Sequence, residues 1–130
     1  MLFFVEVLVF SFIVYIDSKV CPSVDIRNDP SQFDKLKDCI VVNGSLYIVL
    51  MDSYKYEDFS DYSFPLLREV SDHIVLFRVE GLGSLDMLFP NLALIRGRKL
   101  FSEENYREAL VILDMPNMTK VRFDKVKKID

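Results

Sequence analysis

Between residues 64 and 95 the chain writes one pattern twice. Phe64-Pro65 followed by Leu67 and Val70 recurs as Phe89-Pro90 followed by Leu92 and Ile95, and every offset is 25 residues. A period of this size with leucine at fixed places marks a solenoid, in which each turn buries its apolar side only by stacking on its neighbours. Three short apolar runs accompany the repeat: Leu46 to Met51, Ile74 to Val79 and Ala109 to Leu113. Each is β-branched or leucine-rich and preceded by turn residues, so each reads as a strand. Met118 to Ile129, with Val121, Phe123, Val126 and Ile129, reads as the start of a further turn. A doubly wound α/β sheet would also place apolar strands in series, but its crossovers need helices of roughly ten or more residues. Phe-Pro breaks occupy those segments here, so the predicted fold is mainly β, a parallel β-helix of solenoid type.

Ahead of the repeats, Asp29 is placed to cap a short helix over residues 30 to 38. Pro30 takes its first position, and Gln32 stands where its amide can reach back to the cap. Phe33 and Leu36 share one face of that helix, and Asn43-Gly44 marks a turn after it. Cys21 and Cys39, the only cysteines among 130 residues, flank the helix. They are expected to form a disulfide if the chain enters an oxidising compartment.

That compartment is suggested by residues 1 to 16, which are apolar except for Glu6 and Ser11. The dense part, Val7 to Ile16, fits the apolar region of a signal peptide and falls short of the roughly 20 residues that span a bilayer. Residues 1–18 are therefore expected to be a secretory leader and the mature chain extracellular. In that pathway Asn43-Gly44-Ser45 and Asn117-Met118-Thr119 are acceptors for N-linked glycans. Removing Glu6 and Asp17 with the leader leaves 18 acidic residues against 16 basic. So even a balance carries no electrostatic footprint for nucleic acid.

Side chains alternate along a strand, which splits each run into two faces. Leu46 with Ile48, Ile74 with Leu76 and Leu110 with Ile112 form one set and supply a core. Tyr47, Val49, Val75, Phe77, Val111 and Leu113 form the other, predicted as an apolar strip exposed across three adjacent turns. Such a strip points to a partner surface, unless a helix or another domain covers it, as happens to parallel sheets buried on both faces.

Several blocks resemble the first L domain of the insulin and insulin-like growth factor receptors: CPSVDIRN, SLYIVLM, EDFSDYSFPLL, HIVLFRVEGLGSL, LFPNLALIRGRKLF and EALVIL. They run in register from Cys21 to about Ile129. The resemblance implies a right-handed β-helix, a disulfide between Cys21 and Cys39, and a flat sheet face that receives a peptide hormone. It implies Asp25, Arg27 and Asn28 at the polar edge of that face, Leu50 and Phe77 on the sheet, and Phe101 and Val111 on the following turn. Tyr47, Val49 and Leu113 occupy contact positions with changed side chains. Parity reaches Phe77 and Val111 independently; Leu50 falls on the inward parity and rests on the resemblance alone. Asp25, Arg27 and Asn28 have a second possible role, in local hydrogen bonds that tie the N-terminal cap to the first strand. Two departures bear on specificity. Asp52 stands where the family places an aromatic contact, and Ser102 to Glu108 is several residues longer and charged, with Tyr106 its one aromatic. By this reading residues 19–130 are a partial L domain, incomplete at the C-terminus, that binds an insulin-like peptide. The rest of the receptor chain would be a further partner and a missing C-terminal part the link to the membrane; a full-length parent would be a receptor tyrosine kinase. A secreted decoy for such peptides, or an adhesive repeat protein with no hormone ligand, would share the fold.

Other chemistry is poorly supported. Gly81 and Gly83 lack the third glycine of a phosphate-binding loop, and the acidic residues Asp52, Glu57, Asp58 and Asp61 lack the order of a calcium loop. No CxxC spacing offers a metal site. Ser71, Asp72 and His73 are neighbours whose side chains alternate and so cannot converge as a triad. No cofactor, metal or catalytic residue is expected.

Overall fold

The computed structural model describes residues 19–119 and 128–129. The expected leader at 1–18 and Val121, Phe123 and Val126 of the expected further turn lie outside the described residues. Among the described residues there are nine strands: β1 (Lys19–Arg27), β2 (Cys39–Met51), β3 (Glu69–Val70), β4 (Ile74–Val79), β5 (Leu94–Ile95), β6 (Phe101–Glu103), β7 (Tyr106–Glu108), β8 (Leu110–Leu113) and β9 (Lys128–Ile129). All pair in parallel except β6 with β7, which form an antiparallel hairpin.

Strand β2 organises the coil because it belongs to two faces. Its first part carries β3, through Val41 opposite Glu69 and Val42 opposite Val70, and β5 and β9 follow outward from there. Its second part, from Leu46 to Met51, carries β4 and then β8, with β1 along its other side. The Asn43-Gly44 pair, expected as a turn, instead lies inside β2 between these two parts. Gly44 has φ +150°, and a Cβ there would collide with the Ser23 hydroxyl and come within 2.9 Å of the Ser23 nitrogen. Glycine is thus required where β1 and β2 approach closely and their register shifts between Pro22 and Val24.

The repeat has a direct structural counterpart. Val70 is opposite Ile95, Leu67 and Leu92 are fully buried, and the Phe64 and Phe89 rings sit 6.1 Å apart. Phe64 N–H donates to Leu88 C=O at 2.7 Å, and the Asn91 amide donates to Pro65 C=O at 2.9 Å. The spacing is not uniform along the coil: stacked positions are 28 residues apart between Ser45 and His73, as between Val42 and Val70, and 36 apart between Arg78 and Asp114. The longer spacing contains the β6–β7 hairpin.

The predicted helix over 30–38 is a 3₁₀ helix, Pro30–Leu36. Its buried residues, Pro30, Phe33 and Leu36, recur every third position, which matches three residues per turn and not 3.6. Asp29 caps it by accepting from Ser31 N–H at 2.9 Å. Gln32 reaches past the cap, its Oε1 accepting from Arg27 N–H at 3.1 Å. Phe33 packs against Phe59, Tyr62 and Phe64, with ring centroids 5.2–6.2 Å apart. Helix α1 (Tyr56–Phe59) delivers Phe59 to this cluster. Cys21 and Cys39 are bonded, their Cα atoms 5.8 Å apart.

Candidate functional site

Across β1, β2, β4 and β8 the register sets side chains in columns. Asp25, Tyr47, Val75 and Val111 form one column; Arg27, Val49, Phe77 and Leu113 form the next. Both stand on the face turned away from the core. Val49, Val75 and Val111 are each only 5% exposed and make an apolar cluster of their own, ringed by Tyr47, Leu50, Phe77 and Phe101. The strip expected to be exposed is therefore corrected: its valines form a nearly buried floor, and the larger side chains around them are the accessible part. Leu113, at 47% exposure, lies at the open end.

Leu50 also departs from its expected parity. It adopts φ +60°, and this left-handed residue breaks the alternation, so Leu50 joins the outer cluster while the next residue, Met51, is fully buried. The same device recurs one residue beyond the second column on each strand, at Asn28 (φ 70°), Arg78 (φ 50°) and Asp114 (φ 51°). Every coil turns its corner at that level. Because non-glycine residues disfavour this region, the fold must hold them there, and neighbouring pairing does so: Asn28 N–H donates to Val49 C=O at 3.3 Å, and Glu80 N–H to Met51 C=O at 2.9 Å.

The resulting groove has a volume of about 640 Å³ and is lined by Arg27, Tyr47, Val49, Leu50, Val75, Phe77, Phe101, Glu103, Glu104, Asn105, Val111 and Leu113. Eight of the ten residues expected to bind ligand converge on it. Asp25 joins indirectly, through a two-pronged pair in which Arg27 Nε and a terminal guanidinium nitrogen donate to its two oxygens at 2.9 and 2.6 Å. The pair holds the guanidinium more firmly protonated, by hydrogen bonding first and by charge second. Asn28 does not line the groove; its backbone C=O accepts from the Tyr54 hydroxyl at 3.1 Å. Asp52 is exposed and lies outside the lining. At the far edge Arg78 Nε donates to Asp114 at 3.1 Å and its guanidinium lies 5.0 Å from the Phe77 ring centre.

His73 supports the groove wall from beneath, a role its sequence neighbours did not suggest. At 8% exposure it has Nδ1 2.7 Å from Lys99 C=O, which fixes the proton on Nδ1, so Nε2 accepts from the Tyr47 hydroxyl at 3.0 Å. Tyr47, His73 and Phe101 form a three-ring cluster with centroids 5.6–6.5 Å apart. Burial, then the negative charges of Asp25 and Glu103, raises the Tyr47 phenol above its ordinary value. The hairpin residues Glu103, Glu104 and Asn105 were also absent from the expected set. Their signal was the charged run Ser102 to Glu108, which β6 and β7 turn into a lip. Neither Asn43 nor Asn117 lines the groove; both are exposed, and the Asn117 carboxamide oxygen accepts from Gly81 N–H at 2.9 Å.

These features define a class: a parallel β-solenoid whose broad sheet carries an apolar face set apart from its core. Residues 38–130 match the receptor L domain family, and the chain belongs to that family. It is 46% identical over 113 residues to the insulin-like growth factor 1 receptor of Xenopus laevis, covering 86% of this chain and 8% of that receptor. It is 48% identical over 105 residues to the Xenopus laevis insulin receptor, covering 81% of this chain and 7% of that receptor. With the insulin-like peptide receptor of Branchiostoma lanceolatum it shares 42% identity over 110 residues, 85% of this chain and 8% of that protein. The chain thus spans less than a tenth of the length of these relatives. The disulfide and the L-domain fold implied by the resemblance are both present.

Proposed function

We propose that this chain is the hormone-binding L-domain segment of an extracellular receptor of the insulin-receptor type, and that it receives an insulin-like peptide in the groove over β1, β2, β4 and β8. The observation that carries the proposal is the outer apolar cluster: an apolar floor of Val49, Val75 and Val111 with aromatic walls from Tyr47, Phe77 and Phe101. A few central aromatic and aliphatic anchors commonly supply most of the energy of an interface, and charged groups at the rim fix orientation. Arg27, held by Asp25, is placed for that second task. The names of the relatives, receptors for insulin, insulin-like growth factor 1 and insulin-like peptides, support the choice of ligand class. Secretion through a leader at residues 1–18 and glycans on Asn43 and Asn117 complete the proposal.

Titration of the full chain, produced by a secretory host, with insulin and with insulin-like growth factor 1 tests it. Phe77→Ala combined with Val111→Ala removes one wall and part of the floor, and the expected loss of affinity is roughly thirtyfold or more. Undiminished binding by the double variant, with its folding confirmed by circular dichroism, rejects the groove as the site.

A further inference from the structure

The groove is not electrically neutral once its own ion pairs are set aside. Arg27 is matched by Asp25, and Arg78 by Asp114. Glu103 and Glu104 remain: both are exposed hairpin residues that line the groove, and neither is ion-paired to a cation among the described residues. The field of Glu103 reaches the groove wall, where it is one of the charges that disfavour ionisation of Tyr47. The β6–β7 hairpin, with Phe101 opposite Glu108 and Glu103 opposite Tyr106, holds both carboxylates beside the apolar floor.

Resting on the hormone-binding reading above, we infer that the hairpin is a charge filter: the groove selects a peptide whose apolar contact surface has a lysine or arginine beside it, seated against Glu103 and Glu104. Complementary charge at the rim of an apolar contact discriminates among partners and steers their encounter more than it adds raw affinity. Among insulin-like peptides that share one apolar surface, the more basic at that edge is the preferred ligand.

The test uses the full chain and two probes, insulin-like growth factor 1 and the same peptide with its lysines and arginines replaced singly by glutamine. Reversal of both hairpin charges, Glu103→Lys with Glu104→Lys, is expected to weaken binding roughly three- to thirtyfold, the range of two half-exposed ion pairs, and to flatten the dependence on salt. One basic-to-glutamine peptide is expected to bind wild type more weakly and to be insensitive to the reversal. Glu57→Lys with Asp58→Lys, an equal charge change on α1 outside the groove lining, is expected to leave binding unaltered. If the peptide binds and both reversals act alike, or neither acts, the filter is wrong while the hormone site stands. If it does not bind wild type, and insulin does not either, the underlying reading fails and the filter with it. Concentration-dependent self-association abolished by the hairpin reversal would overturn the inference by assigning the groove to a second copy of the chain.

Discussion

Tyr47 joins the buried interior to the accessible groove. Its ring stands in the groove wall while its hydroxyl donates to His73 below, so one side chain sets both the shape of the wall and the satisfaction of a buried imidazole. Tyr47→Phe leaves Nε2 of His73 without its donor, which at neutral pH is expected to cost about 1 kcal/mol. The difference depends on pH with a definite sign. Because folding raises the phenol above its ordinary value, the stabilisation is fully present below about pH 10 and fades as pH rises through the folded value. Urea midpoints taken from pH 8 to 11.5 should show wild type above Tyr47→Phe at the low end and the two converging at the high end. Parallel curves would refute the assignment. Leu50 teaches a different lesson at the same scale: its outward position could not be read by alternation, because alternation assumes an extended backbone and φ +60° is not extended.

Among the elements, the cap formed by β1 and the 3₁₀ helix is fastened twice, by the Cys21–Cys39 bond and by the pairing of β1 with β2. The chain-entropy contribution of a loop this size is on the order of 3 kcal/mol. Cys21→Ala with Cys39→Ala should therefore lower unfolding free energy by about 2–4 kcal/mol, measured in urea, while peptide affinity changes by less than threefold because Arg27 is still held by β1 and Asp25. A collapse of binding along with stability would mean that the bond, and not the strand pairing, positions the rim. Strands of this kind were legible because their β-branched runs are bounded by turn residues; Ile74–Val79 begins and ends as expected. The helix was legible from its cap but its 3₁₀ geometry was not, because residues three apart, such as Phe33 and Leu36, share a face in an α-helix as well. Asn43-Gly44 misled because glycine serves close approach between strands as readily as it serves turns.

At the scale of the molecule, the 25-residue repeat reported the coil at one place only, where Val70 stacks on Ile95; on that same face the neighbouring steps, Val42 to Val70 and Ile95 to Ile129, are 28 and 34 residues. On the opposite face, which carries the groove, alternation along each run grouped Val49, Val75 and Val111 on one side of the sheet, but their closure into a nearly buried floor follows only from the pairing of β2, β4 and β8. The position of β2 in this architecture has a kinetic consequence. It is the strand on which β1, β3 and β4 all lie, whereas β8 touches the sheet only through β4. Loop-closure entropy must be met before such non-local contacts stabilise anything, so the folding transition state is expected to assemble around β2. Ile48→Val should slow refolding, with a φ-value of about 0.5 or higher, and Val111→Ala should chiefly hasten unfolding, with a φ-value nearer 0.2. Stopped-flow chevrons would measure both. The β8 edge of the groove then closes late and opens first: amide protons of β8 would exchange through a local opening well before those of β2.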